Sequence, residues 1–476
     1  MPARKRSTVE SDTTGAGWLP DLSARRGPRY RAIVEAIAED VSAHRLVPGT
    51  LLPPHRTLAR RLGITVGTVT RAYDQAKRHG LVTGEVGRGT YVAEPPQHDG
   101  AAASGAKLTA ELLDLRFNQP AVDYGSRALS ETLKTLARRG NLNTLLDYQA
   151  APGKEHHRLA GAKWVAKVGV VASPDQVVIC NGAQQALMAA MATLTKPGDV
   201  VATEALNYPG IRRLASLFHV RLKGLAIDEE GLVPDAFAEA CAAQRIAALI
   251  CTPTIHNPTA TTLPIERRRK IVEIAAAHGV PIVENDTYGQ LPEDGLPPLY
   301  ALGQGGCYYI GGTSKSLVPG LRIAYLVAPD PMVHRFADAV HATTWTTSSL
   351  VAEIAALWIN DGTADAFIRW HRKEIATRQG LAAKYLGSLG YREHACSYHI
   401  WLPLAEPRRA DEVVIQAQAA GVAISPGSVF AVEPQFIAQA LRISLGAPLT
   451  LELLETGLKR LAAILETRAA FHHMVI

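Results

Sequence analysis

The stretch from Gly311 to Arg322 combines an amine, a run of small residues and a guanidinium group. It reads Gly-Gly-Thr-Ser-Lys-Ser-Leu-Val-Pro-Gly-Leu-Arg, with the amine at Lys315. Small residues let a ligand approach the backbone closely, and a lysine amine can bond covalently to an aldehyde. An arginine can hold a phosphate through parallel N–H donors. The stretch therefore predicts a pyridoxal phosphate (PLP) site, with Lys315 holding the aldehyde as a Schiff base and Arg322 holding the phosphate.

A lysine beside a serine is weak evidence alone, because most lysines are solvated surface charges. Further motifs surround it in order: Asn257-Pro258-Thr259, Glu284-Asn285-Asp286-Thr287-Tyr288 and Gly320-Leu321-Arg322. Together these motifs resemble the type I fold aminotransferases over about residues 113 to 470. The resemblance implies an α/β fold with a mainly parallel sheet, a smaller C-terminal domain and PLP as the cofactor.

The resemblance also implies a role for each matching residue. The implied cofactor-binding residues are Gly182, Ala183, Gln184, Tyr208, Asn257, Asn285, Asp286, Tyr288, Ser314, Lys315 and Arg322. Within this set, residues 182–184 bind the phosphate where a strand turns into a helix, a place that suits anions. Tyr208 stacks on the pyridine ring, and Asn257 and Tyr288 bind the phenolate oxygen. Outside the set, Arg442 binds the carboxylate of an amino acid substrate.

Two positions depart from the family pattern. Where the family supplies an aspartate to the pyridine nitrogen, this chain has Asn285. The neighbouring Asp286 is expected to point to the other face of its strand. A carboxylate keeps that nitrogen protonated, whereas a neutral amide cannot enforce protonation. At the second position Gly312 replaces a serine that binds the phosphate, and Thr313 and Ser314 are candidates to compensate. We therefore expect PLP binding with slow turnover.

Composition and charge restrict the class of protein. The chain has 476 residues and is 47% hydrophobic, which suits two or three globular domains. No apolar run approaches the roughly 18 residues of a membrane span, and the N-terminus does not resemble a signal peptide, so we expect a cytoplasmic protein without a membrane partner. Five widely spaced cysteines without a C-x-x-C pair indicate neither disulfides nor a zinc site.

The net charge of +6 lies in the N-terminal region. Residues 1–95 hold 15 Lys and Arg against 9 Asp and Glu, whereas the remaining residues hold 35 of each kind. A basic region on an otherwise neutral chain suggests a polyanion as partner at one end only. The structural alternative is an ordinary solvated basic face.

Residues 25–95, here called the head, have the pattern of three helices and a hairpin. Apolar residues at three-and-four spacing predict a helix over residues 29–45. A second helix follows Pro53-Pro54, and a third begins near Thr65 as its N-cap. Two short strands enclose a Gly-rich turn, so the order is that of a winged helix-turn-helix. In Leu52-Pro53, Arg56, Leu58-Ala59, Leu62-Gly63, Thr68-Val69 and Gly87-Arg88-Gly89-Thr90 the head resembles the GntR family. Its predicted DNA contacts are Arg56, Thr68, Arg71 and Arg88.

The rest of the chain is expected to be a linker and one large α/β region. Residues 96–112 are rich in Pro, Gly and Ala and predict a flexible or weakly helical tether. Residues 113–476, here called the body, include a small domain within residues 330–476. Buried strands are predicted at residues 177–180, 200–203, 246–251 and 280–283, a helix at residues 265–278, and a strand of the small domain at residues 398–403. Residues 441–444 resemble the family strand that carries the substrate-binding arginine.

A DNA-binding head before an aminotransferase-like body resembles the MocR-type members of the GntR family. The resemblance implies a homodimer, with Tyr148 in a segment that reaches the partner's phosphate site. Two functions remain open: a transcription regulator that senses PLP, an amino acid or another amine, and a working aminotransferase whose head is secondary. A nucleotide-binding ATPase is disfavoured, because the residues around Lys315 lack the spacing of a phosphate-binding loop.

Overall fold

The computed structural model describes residues 18–22, 28–42, 45–47, 49–78, 81–85, 89–92, 112–122, 124–140, 142–149, 151–303 and 305–472. The chain forms two compact units, Met1–Ala106 and Lys107–Ile476. The first unit contains the head and the second contains the body. Most of the predicted linker and the predicted contact Arg88 lie outside the described residues.

The head is a winged helix-turn-helix, as predicted. Its elements are α1 (Arg29–Ser42), α2 (His55–Leu62), α3 (Val66–Arg78), β1 (Val82–Glu85) and β2 (Gly89–Val92). Gly63 ends α2 with a φ of 65°, a left-handed conformation that glycine adopts without strain. The Thr65 hydroxyl accepts the backbone N–H of Thr68 at 3.2 Å and so caps α3. Strands β1 and β2 pair antiparallel as the wing.

A buried apolar cluster joins the three helices of the head. Ile33 and Ile37 of α1, Leu58 of α2, and Val69 and Tyr73 of α3 are 3% exposed or less. These positions repeat at three-and-four spacing, so each helix turns one apolar face inward and leaves its basic residues outside.

The body alternates strands and helices. Its helices are α4 (Gly125–Arg138), α5 (Asn143–Leu146), α6 (Glu155–Ala166), α7 (Ala183–Leu194), α8 (Pro209–Leu217), α9 (Pro234–Ala243), α10 (Ile265–His278), α11 (Leu299–Leu302), α12 (Asp330–Thr344), α13 (Ser349–Asn360), α14 (Thr363–Leu386), α15 (Ala410–Ala419) and α16 (Leu451–His472). Its strands are β3 (Leu113–Asp114), β4 (Val177–Cys180), β5 (Val200–Glu204), β6 (Arg221–Leu225), β7 (Ile227–Asp228), β8 (Gly231–Leu232), β9 (Ala248–Cys251), β10 (Ile282–Asp286), β11 (Cys307–Gly312), β12 (Ala324–Val327), β13 (His399–Pro403), β14 (Val422–Ala423), β15 (Ser425–Pro426) and β16 (Ala440–Ser444).

The central sheet of the body has seven strands in the order β4-β12-β11-β10-β9-β5-β6. Strand β12 runs antiparallel to both neighbours, and the other pairs are parallel. Helices cover both faces, which explains why β4, β9 and β12 are continuous apolar runs that are buried along their whole length. Trp164 and Tyr309 belong to the core on one face, whereas Leu187 and Ile310 belong to the core on the other. The mainly parallel sheet predicted from the sequence is confirmed.

A smaller domain is built around the three-stranded antiparallel sheet β13-β16-β15. Its core packs residues of α14, α15 and α16 against these strands. Strand β3 also joins it, because Leu113 and Asp114 pair in parallel with β14. The start of the body therefore contributes to the small domain, which the sequence did not predict. No helix in the described part of the chain is both long enough and apolar enough to span a membrane.

Candidate functional site

An anion cradle forms where β4 turns into α7. Gly182 precedes the helix with a φ of 81°, and a Cβ built there would lie 2.6 Å from Nη2 of Arg322. Only glycine therefore lets that guanidinium lie against the turn. The N–H groups of Ala183 and Gln184, at the start of α7, have no acceptor inside the helix, and they add the positive end of the helix dipole. Together these groups can hold a phosphate.

Tyr208 and Gln184 lie together at the entrance to α8. Tyr208 is 40% exposed and directly precedes the helix. A Cβ at Gly210 would overlap the Tyr208 ring and lie 2.6 Å from Oε1 of Gln184. Because Gly210 has no side chain, the ring can lie beside the cradle with an aromatic face available for stacking.

The loop after β11 carries Lys315. Its start is fixed by Thr313, whose hydroxyl donates to the carbonyl of Ile323 at 2.8 Å. A Cβ at Gly312 would lie 2.8 Å from Cγ2 of Thr287, so the serine that the family has at this position would clash. Because the Thr313 hydroxyl already donates to the backbone carbonyl of Ile323, the half-buried Ser314 is the remaining candidate for a phosphate contact.

The amine of Lys315 is held in an environment that favours its neutral form. It donates to the backbone carbonyl of Asn118, and part of the side chain still reaches solvent. Burial of the amine, together with the positive charges of Arg442 and Arg322, lowers its pKa from the ordinary 10.5 to about 7. A neutral amine is the form that attacks a carbonyl, so Lys315 can act as a nucleophile near neutral pH.

A buried histidine ties the lysine loop to the small domain. Nε2 of His371, on α14, lies 2.6 Å from the carbonyl oxygen of Leu317, and Nδ1 lies 2.6 Å from the hydroxyl of Tyr398. Since a carbonyl only accepts, Nε2 carries the proton and Nδ1 accepts from Tyr398. Burial lowers the pKa of His371 to about 4, so it stays neutral. The loop that carries Lys315 is therefore bonded through α14 to the residue before β13.

Tyr288 and His399 meet at Asn118. The Asn118 amide Nδ2 lies 2.5 Å from the Tyr288 hydroxyl oxygen and 3.0 Å from Nδ1 of His399. Burial raises the pKa of Tyr288, which keeps its hydroxyl protonated. Burial and the charge of Arg442 lower the pKa of His399 well below its ordinary value, so the ring is neutral. The site thus has a wall of neutral hydrogen-bonding groups beside the amine.

Arg442 and Asn257 form the cationic side of the site. Arg442, on β16, donates from Nη1 to Oδ1 of Asn257 at 2.9 Å and from Nη2 to the carbonyl of Arg116. Its guanidinium carbon lies 4.7 Å from the centre of the Phe430 ring. Burial lowers its pKa to about 10, yet among the described residues no carboxylate pairs with it. A buried arginine without a counter-charge is suited to an anionic ligand.

Asn285 and Asp286 face opposite sides of the central sheet. Asn285 pairs with Ile310, which belongs to the core under α7, and its buried Oδ1 has no hydrogen-bond partner among the described residues. Asp286 instead accepts a hydrogen bond from the Tyr309 hydroxyl at 2.9 Å, on the other face. Of the two candidates, Asn285 is the one on the side of the phosphate cradle, and Asp286 lies away from it.

The segment before α6 exposes large apolar side chains. Leu146 is 82% exposed and Tyr148 is 87% exposed. The Tyr148 ring centre lies 5.8 Å from that of Trp345, which is itself 55% exposed. Such a group of exposed apolar residues is typical of an interaction surface.

The candidate DNA contacts of the head lie on its surface. Arg56 of α2 and Arg71 of α3 are exposed, and Thr68 is half-buried with its hydroxyl 2.9 Å from that of Thr65. The Arg71 guanidinium lies 4.2 Å from the centre of the Tyr30 ring, on α1. This cation–π contact holds the exposed Arg71 side chain against α1.

Several contacting residues were missed by the sequence analysis. Asn118 connects Lys315 with Tyr288 and His399 but belongs to no motif, since its partners are distant along the chain. His371 likewise holds the lysine loop without any local signal. The stretch before α4 also holds Asp114, Arg116 and Gln119, so nothing local singles out Asn118.

Comparison with known proteins defines the family. Residues 110–461 match the profile described as aminotransferase class I and II, and residues 29–92 match the bacterial regulatory proteins of the gntR family. The chain belongs to the aminotransferase class I and II family. This family member carries a GntR head at its N-terminus, and such a pairing favours a regulator over an enzyme.

Two relatives match this chain over most of its length. The HTH-type transcriptional regulator YdeF of Bacillus subtilis (strain 168) is 29% identical over 450 residues, covering 94% of this chain and 97% of that protein. MocR of Rhizobium meliloti, a probable rhizopine catabolism regulatory protein, is 27% identical over 377 residues, 74% of this chain and 76% of that protein.

A solved structure supports the fold of this aminotransferase family member. LysN, an alpha-aminoadipate aminotransferase of Thermus thermophilus, superposes with a TM-score of 0.68 and is 26% identical. The match covers 76% of this chain and 94% of LysN, which was crystallised with N-(5'-phosphopyridoxyl)-L-leucine.

Proposed function

We propose that this protein is a transcription regulator in which the head binds operator DNA and the body binds PLP and senses an amino-group ligand. The observation that favours sensing over catalysis is the presence of Asn285 instead of an aspartate. Asn285 occupies the sheet face of the phosphate cradle, where a neutral amide replaces the carboxylate of the enzymes. Apart from Gly312, the residues that we assign to cofactor and ligand match the family pattern.

The residues fit PLP. The cradle at Gly182 and Arg322 suits its phosphate, Tyr208 offers a ring to stack on, and the neutral amine of Lys315 suits its aldehyde. When bound, PLP would supply an electron sink whose strength depends on protonation of the pyridine nitrogen. Oδ1 of Asn285 has no partner in the described part of the chain and can accept one hydrogen bond there, but it carries no charge that would enforce protonation.

The ligand is expected to be an amino acid or a related amine. Arg442 supplies a buried positive charge that pairs with no carboxylate of the described residues. The carboxylate of a ligand would neutralise this charge. The neutral wall formed by Tyr288, Asn118 and His399 lies next to the amine and would contact the rest of the ligand.

Coupling between ligand and DNA is proposed to run through the small domain. Arg442 lies on β16 of that domain, and His371 bonds the lysine loop to α14 and Tyr398. A ligand that contacts Lys315 and Arg442 together would bind the lysine loop and the small domain at the same time. A movement of the small domain would then shift the point where the linker meets the body, because β3, at the start of the body, pairs with β14 of the small domain.

We further propose a homodimer in the cytoplasm. The exposed Leu146 and Tyr148 support an interface in this segment, and helix-turn-helix regulators commonly bind two half-sites as dimers. A DNA-binding regulator must also share a compartment with its operator.

The working aminotransferase is the second candidate, and the low pKa of Lys315 favours it. Both candidates require PLP on Lys315, which is tested first. Borohydride reduction of the purified protein, followed by peptide mapping, should place a pyridoxyl group on Lys315 and on no other lysine. Labelling elsewhere, or none at all, would reject the cofactor site for both candidates. Ligand-dependent DNA binding then separates a regulator from an enzyme.

A further inference from the structure

Two adjacent histidines of α6 and a glutamate of α13 converge on one point. Nε2 of His156 and Nε2 of His157 each lie 2.8 Å from Oε2 of Glu353. All three ligand atoms lie within 4.8 Å of one another, and no other group of this kind was found in the described residues. Neighbouring helix residues usually point in different directions, so two imidazole nitrogens directed at one oxygen is a specific arrangement.

The donor set is one that zinc prefers. Zinc binds imidazole nitrogen at about 2.0–2.1 Å and carboxylate oxygen at about 2.0–2.2 Å, in tetrahedral geometry. Such bond lengths separate two donors by about 3.3 Å. The observed contacts of 2.8 Å would therefore have to open by about half an ångström, which small side-chain rotations permit.

The residues around this cluster hold the Glu353 carboxylate in place and leave one side of the cluster open to solvent. The second oxygen of Glu353 accepts a hydrogen bond from Nη1 of Arg139 at 3.2 Å, as outer partners of metal ligands commonly do. The side chains of His157 and Glu353 are 3% and 12% exposed, whereas that of His156 is 55% exposed. The nearby Lys154 ammonium is directed at the carbonyl of Thr144, 2.6 Å away. One side thus remains open for a metal ion to enter and for water to complete the coordination.

We propose that His156, His157 and Glu353 form a binding site for zinc or a similar divalent transition metal. Metal binding requires both histidines to present a lone pair at Nε2, so their ring protons would move to Nδ1. The bound ion would replace the hydrogen bonds that now join α6 to α13 and would fasten these two helices against the same core, which includes Trp164 and Trp358.

The test uses the full chain without an affinity tag. Protein is dialysed first against EDTA and then against zinc chloride, and its bound zinc is measured by elemental analysis. One zinc per chain is expected, and Glu353→Gln and His156→Ala should each weaken zinc binding at least tenfold. His334→Ala removes an exposed histidine of α12 and should leave the binding unchanged.

Thermal unfolding separates loss of the site from loss of the fold. Glu353→Gln retains the shape and a hydrogen-bond acceptor, so its melting temperature in EDTA should stay close to that of the original chain. Zinc should raise the melting temperature of the original chain and of His334→Ala, but not that of Glu353→Gln. The proposal is overturned if the chain retains no stoichiometric zinc, or if Glu353→Gln and His156→Ala retain it as tightly as the original protein.

Discussion

Lys315 should capture PLP at neutral pH far faster than an ordinary lysine. Its pKa is lowered from 10.5 to about 7, chiefly by burial and then by the charges of Arg442 and Arg322. This difference corresponds to about 5 kcal/mol against charging the amine. At pH 7 about half of the Lys315 amines are neutral, compared with about one in 3,000 for an ordinary lysine.

The assay mixes cofactor-free protein with PLP in a stopped-flow spectrometer between about pH 5 and pH 10. The absorbance of the bond between amine and cofactor reports the capture rate, and a free lysine derivative in the same buffers corrects for titration of PLP itself. The rate should rise with pH, reach half its maximum near pH 7 and level off above about pH 8. A rate that still rises tenfold per pH unit above pH 9 would refute the lowered pKa.

A matched pair of variants tests the cause of this shift. Arg442→Gln removes one of the two cations that act on Lys315, so the midpoint should move to higher pH. The movement should be smaller than the whole shift, because burial is the largest cause. Arg269→Gln removes an exposed arginine of α10 that pairs with Glu266, and its midpoint should not move. Equal midpoints in both variants would exclude the charge of Arg442 as a cause.

Three further predictions concern other parts of the chain. Asn285→Asp should speed conversion of an added amino acid in single-turnover measurements, because a carboxylate favours protonation of the pyridine nitrogen. A rate that is already fast in the original chain and that the substitution leaves unchanged would contradict the role of Asn285. Arg71→Ala should weaken DNA binding in a fluorescence titration, by about 1–3 kcal/mol at one position if Arg71 contacts a base, and unaltered binding would remove it from the interface. Gly312→Ser should lower the free energy of unfolding by about 1–3 kcal/mol in a denaturant titration, since the new Cβ would lie 2.8 Å from Cγ2 of Thr287. Adding Thr287→Ala should restore most of this stability. An equal loss in the double variant would reject the clash.

Local patterns predicted those elements whose signals lie within one segment. The helix expected at residues 265–278 matches α10, because its apolar spacing and the glycine that follows it are local. The opposite directions of Asn285 and Asp286 follow from alternation along β10 in the same way.

Features that depend on distant pairing could not be predicted. Asn118 is 170 residues from Tyr288 and 281 residues from His399, so nothing near Asn118 announces the contacts. Strand β3 has only two residues and forms because β14 offers an edge to pair with. In both cases the tertiary structure selects a conformation that the local sequence leaves open.

The central claim is that the ligand at Lys315 changes the affinity of the head for DNA. The full chain is first used to select a DNA fragment from a random library. The most direct measurement is then its affinity for that fragment, with and without each amino acid or amine that alters the PLP spectrum. We predict a change of about fivefold to 150-fold for at least one ligand, and an equal change in ligand affinity when DNA is present. Lys315→Ala should bind the same DNA without responding. Identical DNA affinities for every ligand that reacts at Lys315 would contradict the account and leave the body an enzyme joined to a DNA-binding head.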